Sequence, residues 1–209
     1  MRVGWLALAA FSVLTVLAPA RAADDPVVRK GHFTIVHPAQ LDKDKARATY
    51  ATLALRMAKD YAMAGEPAVK GYQSWRRFND APYPSKAHGN RYLNNYANAV
   101  AAPTYGRMGG TMRMPEGAVI AKDSFTVTET GAVHPGALFF MEKLPAGTRP
   151  DRGDWRFGMI LPDGSLFGDS QGTNADKVAF CYDCHMKRAD ETDHLYFFPE
   201  GNRRTYYSR

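Results

Sequence analysis

Cysteine is nearly absent: the 209 residues contain only two, Cys181 and Cys184. Two thiols three positions apart cannot build the cross-linked framework of a small disulfide-stapled domain, and a structural zinc site of four Cys or His ligands has no second cysteine pair to draw on. A surplus of one charge is also missing. Lys and Arg number 27 against 21 Asp and Glu. The excess is scattered apart from short pairs such as Arg76-Arg77 and Arg203-Arg204, so no basic arm is available for nucleic acid. Past residue 23 no hydrophobic run approaches the ~20 residues that cross a bilayer. Internal repeats and low-complexity segments are lacking too, and the chain reads as one unit.

What is present begins at the amino end. Met1-Arg2-Val3 leads into an apolar stretch from Gly4 to Leu17, and the small residues Ala18, Ala20, Ala22 and Ala23 precede Asp24-Asp25. A positive start, an apolar centre and small residues at a cut site form the pattern of a secretory signal peptide over residues 1–23, with an uncleaved anchor as the competing reading. Cleavage would leave residues 24–209 as a single domain. It would also remove Arg2 and Arg21, leaving 25 basic and 21 acidic residues, a net +4. The expected product is soluble, secreted and periplasmic, with a sizeable core.

Between Leu41 and Ala64, apolar residues recur at Tyr50, Leu53, Met57 and Tyr61, the spacing of an amphipathic helix that Gly65-Glu66-Pro67 ends. Tyr72, Trp75 and Phe78 predict a short helix or turn over 71–78 whose aromatics pack in the core. Further on, aromatic and β-branched residues predict strands over 92–96, 118–121, 125–128, 137–142 and 155–161. Their separators are Pro115-Glu116-Gly117, Gly131, a loop over 145–154 and Pro162-Asp163-Gly164. Short turns join these strands, so they pair antiparallel. A last helix is expected over 175–187. The fold class is α+β: a mainly antiparallel β-sheet with an N-terminal and a C-terminal helix.

Both cysteines lie in that last helix, as Cys181-Tyr182-Asp183-Cys184-His185. In an exported chain, Cys-x-x-Cys-His is the attachment signature of c-type haem. Residues three apart share a helix face, so both sulfurs reach the two vinyl groups of one porphyrin, and His185 places a ring nitrogen under the iron as proximal ligand. One covalently bound haem c, borne by the C-terminal helix, is the expected cofactor. A disulfide is the competing use of the pair, although a thioredoxin-like fold puts its motif early, after a first strand. Candidates to close the iron's other side are Met108, Met112, Met114, Met141, Met159, His88 and His134, none marked by spacing. Met141 and Met159 read as core, and His134, beside Pro135 and Gly136, as a surface turn residue. His32, His37 and His194 read as structural.

Several stretches then fall in a telling order. They are His88-Gly89-Asn90-Arg91-Tyr92 with Tyr96-Ala97-Asn98, the run from Pro115 to Lys122, the run from Gly136 to Lys143, Gly153-Asp154-Trp155, and the late Cys-x-x-Cys-His. Over about 72–199 the chain resembles the cytochrome P460 family, which includes the cytochromes c′-β. The resemblance implies an antiparallel β fold with flanking helices, a homodimer, and one five-coordinate haem with an open distal side. In P460 enzymes a lysine is additionally bonded to the porphyrin, and hydroxylamine is oxidised using external electron acceptors. The matching position is Lys122, after Gly117-Ala118-Val119-Ile120-Ala121. The c′-β members lack that bond and bind nitric oxide and other small gases. Read from the residues alone, Lys122 is instead a solvated lysine closing a buried strand. The distal polar groups of the P460 enzymes point to Glu142, Asp123 or Arg156 as proton handlers, whereas Glu142-Lys143 alone reads as an exposed pair at a strand end.

The expected function is that of a periplasmic P460-type mono-haem cytochrome, a haem oxidoreductase that oxidises hydroxylamine or a related small nitrogen compound with an external redox partner. Lys122 and Glu142 are its candidate catalytic residues, and Cys181, Cys184, His185 and Lys122 its haem contacts. The alternatives are a c′-β-like binder of nitric oxide or another gas, and an electron-transfer cytochrome, which needs a sixth protein ligand.

Overall fold

The computed structural model describes residues 27–28, 34–188 and 190–204. The leader expected over residues 1–23 and His32 lie outside them. In chain order the elements are β1 (Val27–Val28), β2 (Thr34–Ile35), α1 (Lys43–Ala62), β3 (Arg76–Arg77), β4 (Tyr83–Ser85), β5 (Arg91–Ala97), α2 (Ala102–Tyr105), β6 (Val119–Val127), β7 (Val133–Pro135), β8 (Leu138–Lys143), β9 (Trp155–Ile160), β10 (Leu166–Asp169) and α3 (Ala179–His185). Antiparallel sheet dominates and the helices are few, which places the chain in the α+β class.

α1 starts where the sequence supplies a cap. The Asp42 side chain accepts a hydrogen bond from the Lys45 amide at 2.8 Å, satisfying a donor that has no partner inside the helix. Ala46, Tyr50, Met57 and Tyr61 form its buried stripe. Beyond Ala62 the chain turns at Gly65, whose φ of 64° suits a residue without Cβ. The stripe packs on one face of a sheet, against Tyr92, Tyr96, Ala121, Phe125 and Phe140.

That sheet has eight strands in the order β10-β9-β8-β6-β5-β3, with β4 also paired to β5 and β7 to β6. Every pairing is antiparallel; the short β6–β7 and β9–β10 links require this, whereas the β5–β6 connection is longer and carries α2. Side chains alternate between the two faces of a sheet, so the cross-strand registers sort the residues. The row Tyr96, Ala121, Phe140, Gly158 belongs to the α1 side. The row Asn95, Lys122, Phe139, Met159 and its neighbour Ala97, Ile120, Met141, Phe157 belong to the other. This second face is covered by loops and by α3, with Phe78, Tyr83, Tyr105, Met114, Leu195 and Phe198 among the buried residues.

Several expectations change. The two strands expected over 118–121 and 125–128 are one: β6 runs unbroken through Lys122, Asp123 and Ser124, all buried. Asp123 accepts bonds from Tyr50, Tyr72 and Asn94, Ser124 donates to the Ala137 carbonyl at 2.7 Å, and Lys122 faces a cavity. Because distant residues satisfy it, a polar triplet continues a strand that local reading breaks. The helix or turn over 71–78 is one 3-10 turn, Tyr72–Ser74, followed by β3. The helix over 175–187 divides into a 3-10 turn, Ala175–Val178, and α3. His134 sits in β7 opposite Thr126, half-buried, not in a surface turn. Nor are Glu142 and Lys143 an exposed pair. Glu142 meets Arg156, its cross-strand neighbour, at 2.7 Å, and Lys143 meets Asp193 at 2.7 Å.

Candidate functional site

The site is built where α3 lies over the second face of the sheet. Val178, fully buried, anchors the turn into the helix. Gly168 in β10 permits that approach, since a Cβ there would stand 3.0 Å from Val178 and 2.7 Å from the Asn174 carbonyl. From this start Cys181 and Cys184 fall one helical turn apart on one face. Neither cysteine is in a disulfide. Burial pushes the Cys181 thiol up to about 12, whereas a redox-active cysteine has a lowered pKa.

His185 closes α3 and is buried. Its Nδ1 lies 2.9 Å from the His194 carbonyl. A carbonyl only accepts, so Nδ1 carries the proton and Nε2 presents its lone pair. The ring packs against Phe157 and, edge-on, Tyr196, each with centroids 5.4 Å away. Burial, assisted by the Lys122 charge, holds the imidazole's pKa down at about 3, which keeps it neutral as a metal ligand must be.

Opposite the helix, β6 supplies Ile120 and Lys122, β8 supplies Phe139 and Met141, and β9 supplies Phe157. A cavity of about 380 Å³ lies between these walls, within the size range of small-molecule and cofactor sites. Lys122 is 8 % exposed. No carboxylate pairs with it among the described residues, and desolvation lowers its pKa to about 8, against the opposing pull of Cys184 and Cys181. An isolated amine held in an apolar cavity is energetically costly for a fold.

The structure therefore brings Cys181, Cys184, His185 and Lys122 to one cavity. It does not bring Glu142, Asp123 or Arg156 there. All three lie on the α1 face, by the alternation of β6, β8 and β9. Arg156 bonds Glu66, Glu142 and Asp169, while Asp123 sits among tyrosines under α1. Among the candidate sixth ligands, His88 and Met141 line the cavity. Met108, Met112 and Met114 pack in the neighbouring core, Met159 packs with Phe139 and Val178, and His134 is on β7. His37 is exposed beside Glu129. Among the described residues no group of three or more His, Cys, Asp or Glu side chains is placed to hold a metal ion on its own.

Two cavity segments escaped the sequence reading apart from His88. One is β4 with the turn after it, from Tyr83 to His88, in which Ser85 Oγ lies 3.0 Å from His88 Nδ1. The other is Tyr196-Phe197-Phe198-Pro199. An aromatic triplet so soon after the Cys-x-x-Cys-His motif was the available signal.

The donor set fits a c-type haem: two thiols on one helix face, a neutral imidazole with Nε2 available, and aromatic walls. The cytochrome P460 family model matches residues 69–197. This chain belongs to the cytochrome P460 family. The P460 match covers more than half of the chain and nearly the whole cavity lining, leaving only Phe198 and Pro199 beyond it. It begins a few residues before, and ends two before, the region of resemblance read from the motifs. P460 membership implies a c-type haem as cofactor. No curated protein matches the chain significantly. No helix among the described residues is long and apolar enough to cross a membrane.

Proposed function

We propose that this P460 protein carries one haem c, linked through thioethers at Cys181 and Cys184 and ligated by His185 Nε2, and that it oxidises hydroxylamine or a related small nitrogen compound. The observation that carries the reading is Lys122: a buried amine without a carboxylate partner, in the same cavity as Cys181, Cys184 and His185. Haem would supply the iron that coordinates substrate and the redox chemistry that takes its electrons. The protein's own part is to hold and shield. His185 is kept neutral, and the Phe139, Phe157 and Ile120 side chains exclude water. The low pKa of Lys122 raises the neutral, nucleophilic fraction of its amine. Protons released with the electrons need an acceptor, and the His88 imidazole on the cavity wall serves in place of Glu142. The working form is an exported, periplasmic homodimer that hands electrons to an external redox partner.

A second reading is favoured by one feature: no Asp or Glu lines the cavity among the described residues. An apolar, aromatic pocket suits a gas binder of the c′-β kind. Mass spectrometry of the haem peptide separates the two. The enzyme reading expects the Lys122 peptide joined to the 181–185 peptide through haem, a reduced spectrum shifted to the red, and loss of that shift and of most hydroxylamine turnover in Lys122→Leu. An ordinary high-spin c-type spectrum in both proteins favours the gas binder. Haem lost from the wild type on denaturation, or retained covalently by a Cys181→Ala, Cys184→Ala, Lys122→Leu variant, refutes both.

A further inference from the structure

The carbonyl that fixes His185 belongs to an unusual piece of backbone. Asp193 and His194 are consecutive residues in the left-handed region, with φ of 52° and 61°. Non-glycine residues persist there only where their surroundings over-determine them. Asp193 is 2 % exposed, and every polar atom of it described here is engaged. Its carboxylate accepts from Lys143 Nζ at 2.7 and 2.9 Å and from the Met114 amide at 2.8 Å. Its carbonyl accepts from the Trp155 indole at 3.0 Å, and its amide donates to the Asp190 carbonyl at 2.7 Å.

Lys143 ends β8 and Trp155 begins β9, so the rigid sheet grips this loop at two points. Lys143 Nζ also donates to the Gly153 carbonyl at 2.8 Å. Gly153 in turn leaves room for the His194 ring, because a Cβ there would stand 2.7 Å from Cδ2. Breaking a buried ion pair leaves a lone charge in the interior, so Lys143 and Asp193 hold one another in place.

We propose that the Lys143–Asp193 pair is a positioning device for the proximal ligand: it locks the 193–194 backbone so that the His194 carbonyl meets His185 Nδ1. This rests on the reading of His185 as the iron ligand. A hydrogen bond from Nδ1–H to a carbonyl fixes the tautomer and raises the basicity of Nε2. Lys143 and Asp193 thus set the donor strength of a nitrogen that neither of them touches.

The test is resonance Raman of the reduced, haem-bearing protein, reading the iron–histidine stretching band, with the reduction potential as a second readout. Lys143→Met and Asp193→Asn are expected to lower and broaden the band and to raise the potential. Arg113→Ala is the control. It removes the bonds to the Asp190 carbonyl and carboxylate, each at 2.6 Å, loosening the same loop while keeping the Lys143–Asp193 ion pair and the Asp190 carbonyl that accepts from the Asp193 amide, and should shift the band far less than the pair variants do. A band unmoved in both pair variants, or moved as far by Arg113→Ala, overturns the proposal. If Lys143→Met does not fold, Lys143→Gln and Asp193→Asn carry the same test. His185→Ala separates the layers. A band that survives it defeats the assignment of His185 itself, whereas a band lost there but constant in the pair variants defeats only the positioning role.

Discussion

Asp123 is the residue whose placement most changes the reading of this chain, and its titration tests that placement. It is fully buried, and burial lifts its carboxyl from 3.8 to about 6 despite hydrogen bonds from Tyr50, Asn94 and Tyr72 and the nearby Arg77 charge. At about 1.4 kcal/mol per pH unit, the rise is worth about 3 kcal/mol. Its sign follows from linkage: with the folded pKa above the unfolded one, the stabilisation is complete below pH 3.8 and is lost as the pH climbs through about 6. Asp123→Asn removes this titration while keeping the side chain's shape. Guanidinium chloride unfolding of both haem-bearing proteins from pH 7 down to about pH 4.5 should therefore show wild type gaining about 2 kcal/mol on the variant. Other titrating groups cancel in the difference. A difference constant to within about 0.5 kcal/mol would refute the buried assignment. The variant should also retain hydroxylamine turnover, and a large loss there would restore Asp123 as a proton handler.

Arg156→Met strands Glu66, Glu142 and Asp169 around an uncharged side chain. Stability should fall by about 3–5 kcal/mol, read as a lowered thermal midpoint by circular dichroism; an unchanged midpoint would mean these acids are not held by Arg156. Gly158→Ala puts a Cβ into the Phe140 ring, which is itself buried under α1. The overpacking should cost about 1–3 kcal/mol in denaturant unfolding, and a neutral effect would contradict the contact between β8 and β9 drawn here.

By itself the sequence determined everything that depends on neighbours along the chain. The Cys181 to His185 spacing is a local fact of helix geometry, and the stripe of Tyr50, Met57 and Tyr61 is a local fact of helical period. The antiparallel sense of the pairing followed from turn residues, because short links leave antiparallel pairing as the open choice, whereas the order of the strands in the sheet did not. The family was legible in the same way, as ordered short motifs. Which face each side chain takes was legible only in part. Lys122-Asp123-Ser124 read as the end of a strand because three polar residues in a row look solvated, and β6 would indeed break there if water were their only partner. Tertiary structure decided otherwise, since Tyr50 and Tyr72 reach Asp123 from α1 and the turn after it, and the Ala137 carbonyl receives Ser124. With β6 continuous, alternation sends Lys122 into the cavity and Asp123 behind it, and the pairings of β8 and β9 send Glu142 and Arg156 behind it too. Burial of a polar side chain depends on partners supplied from dozens of residues away, and no local pattern carries that information.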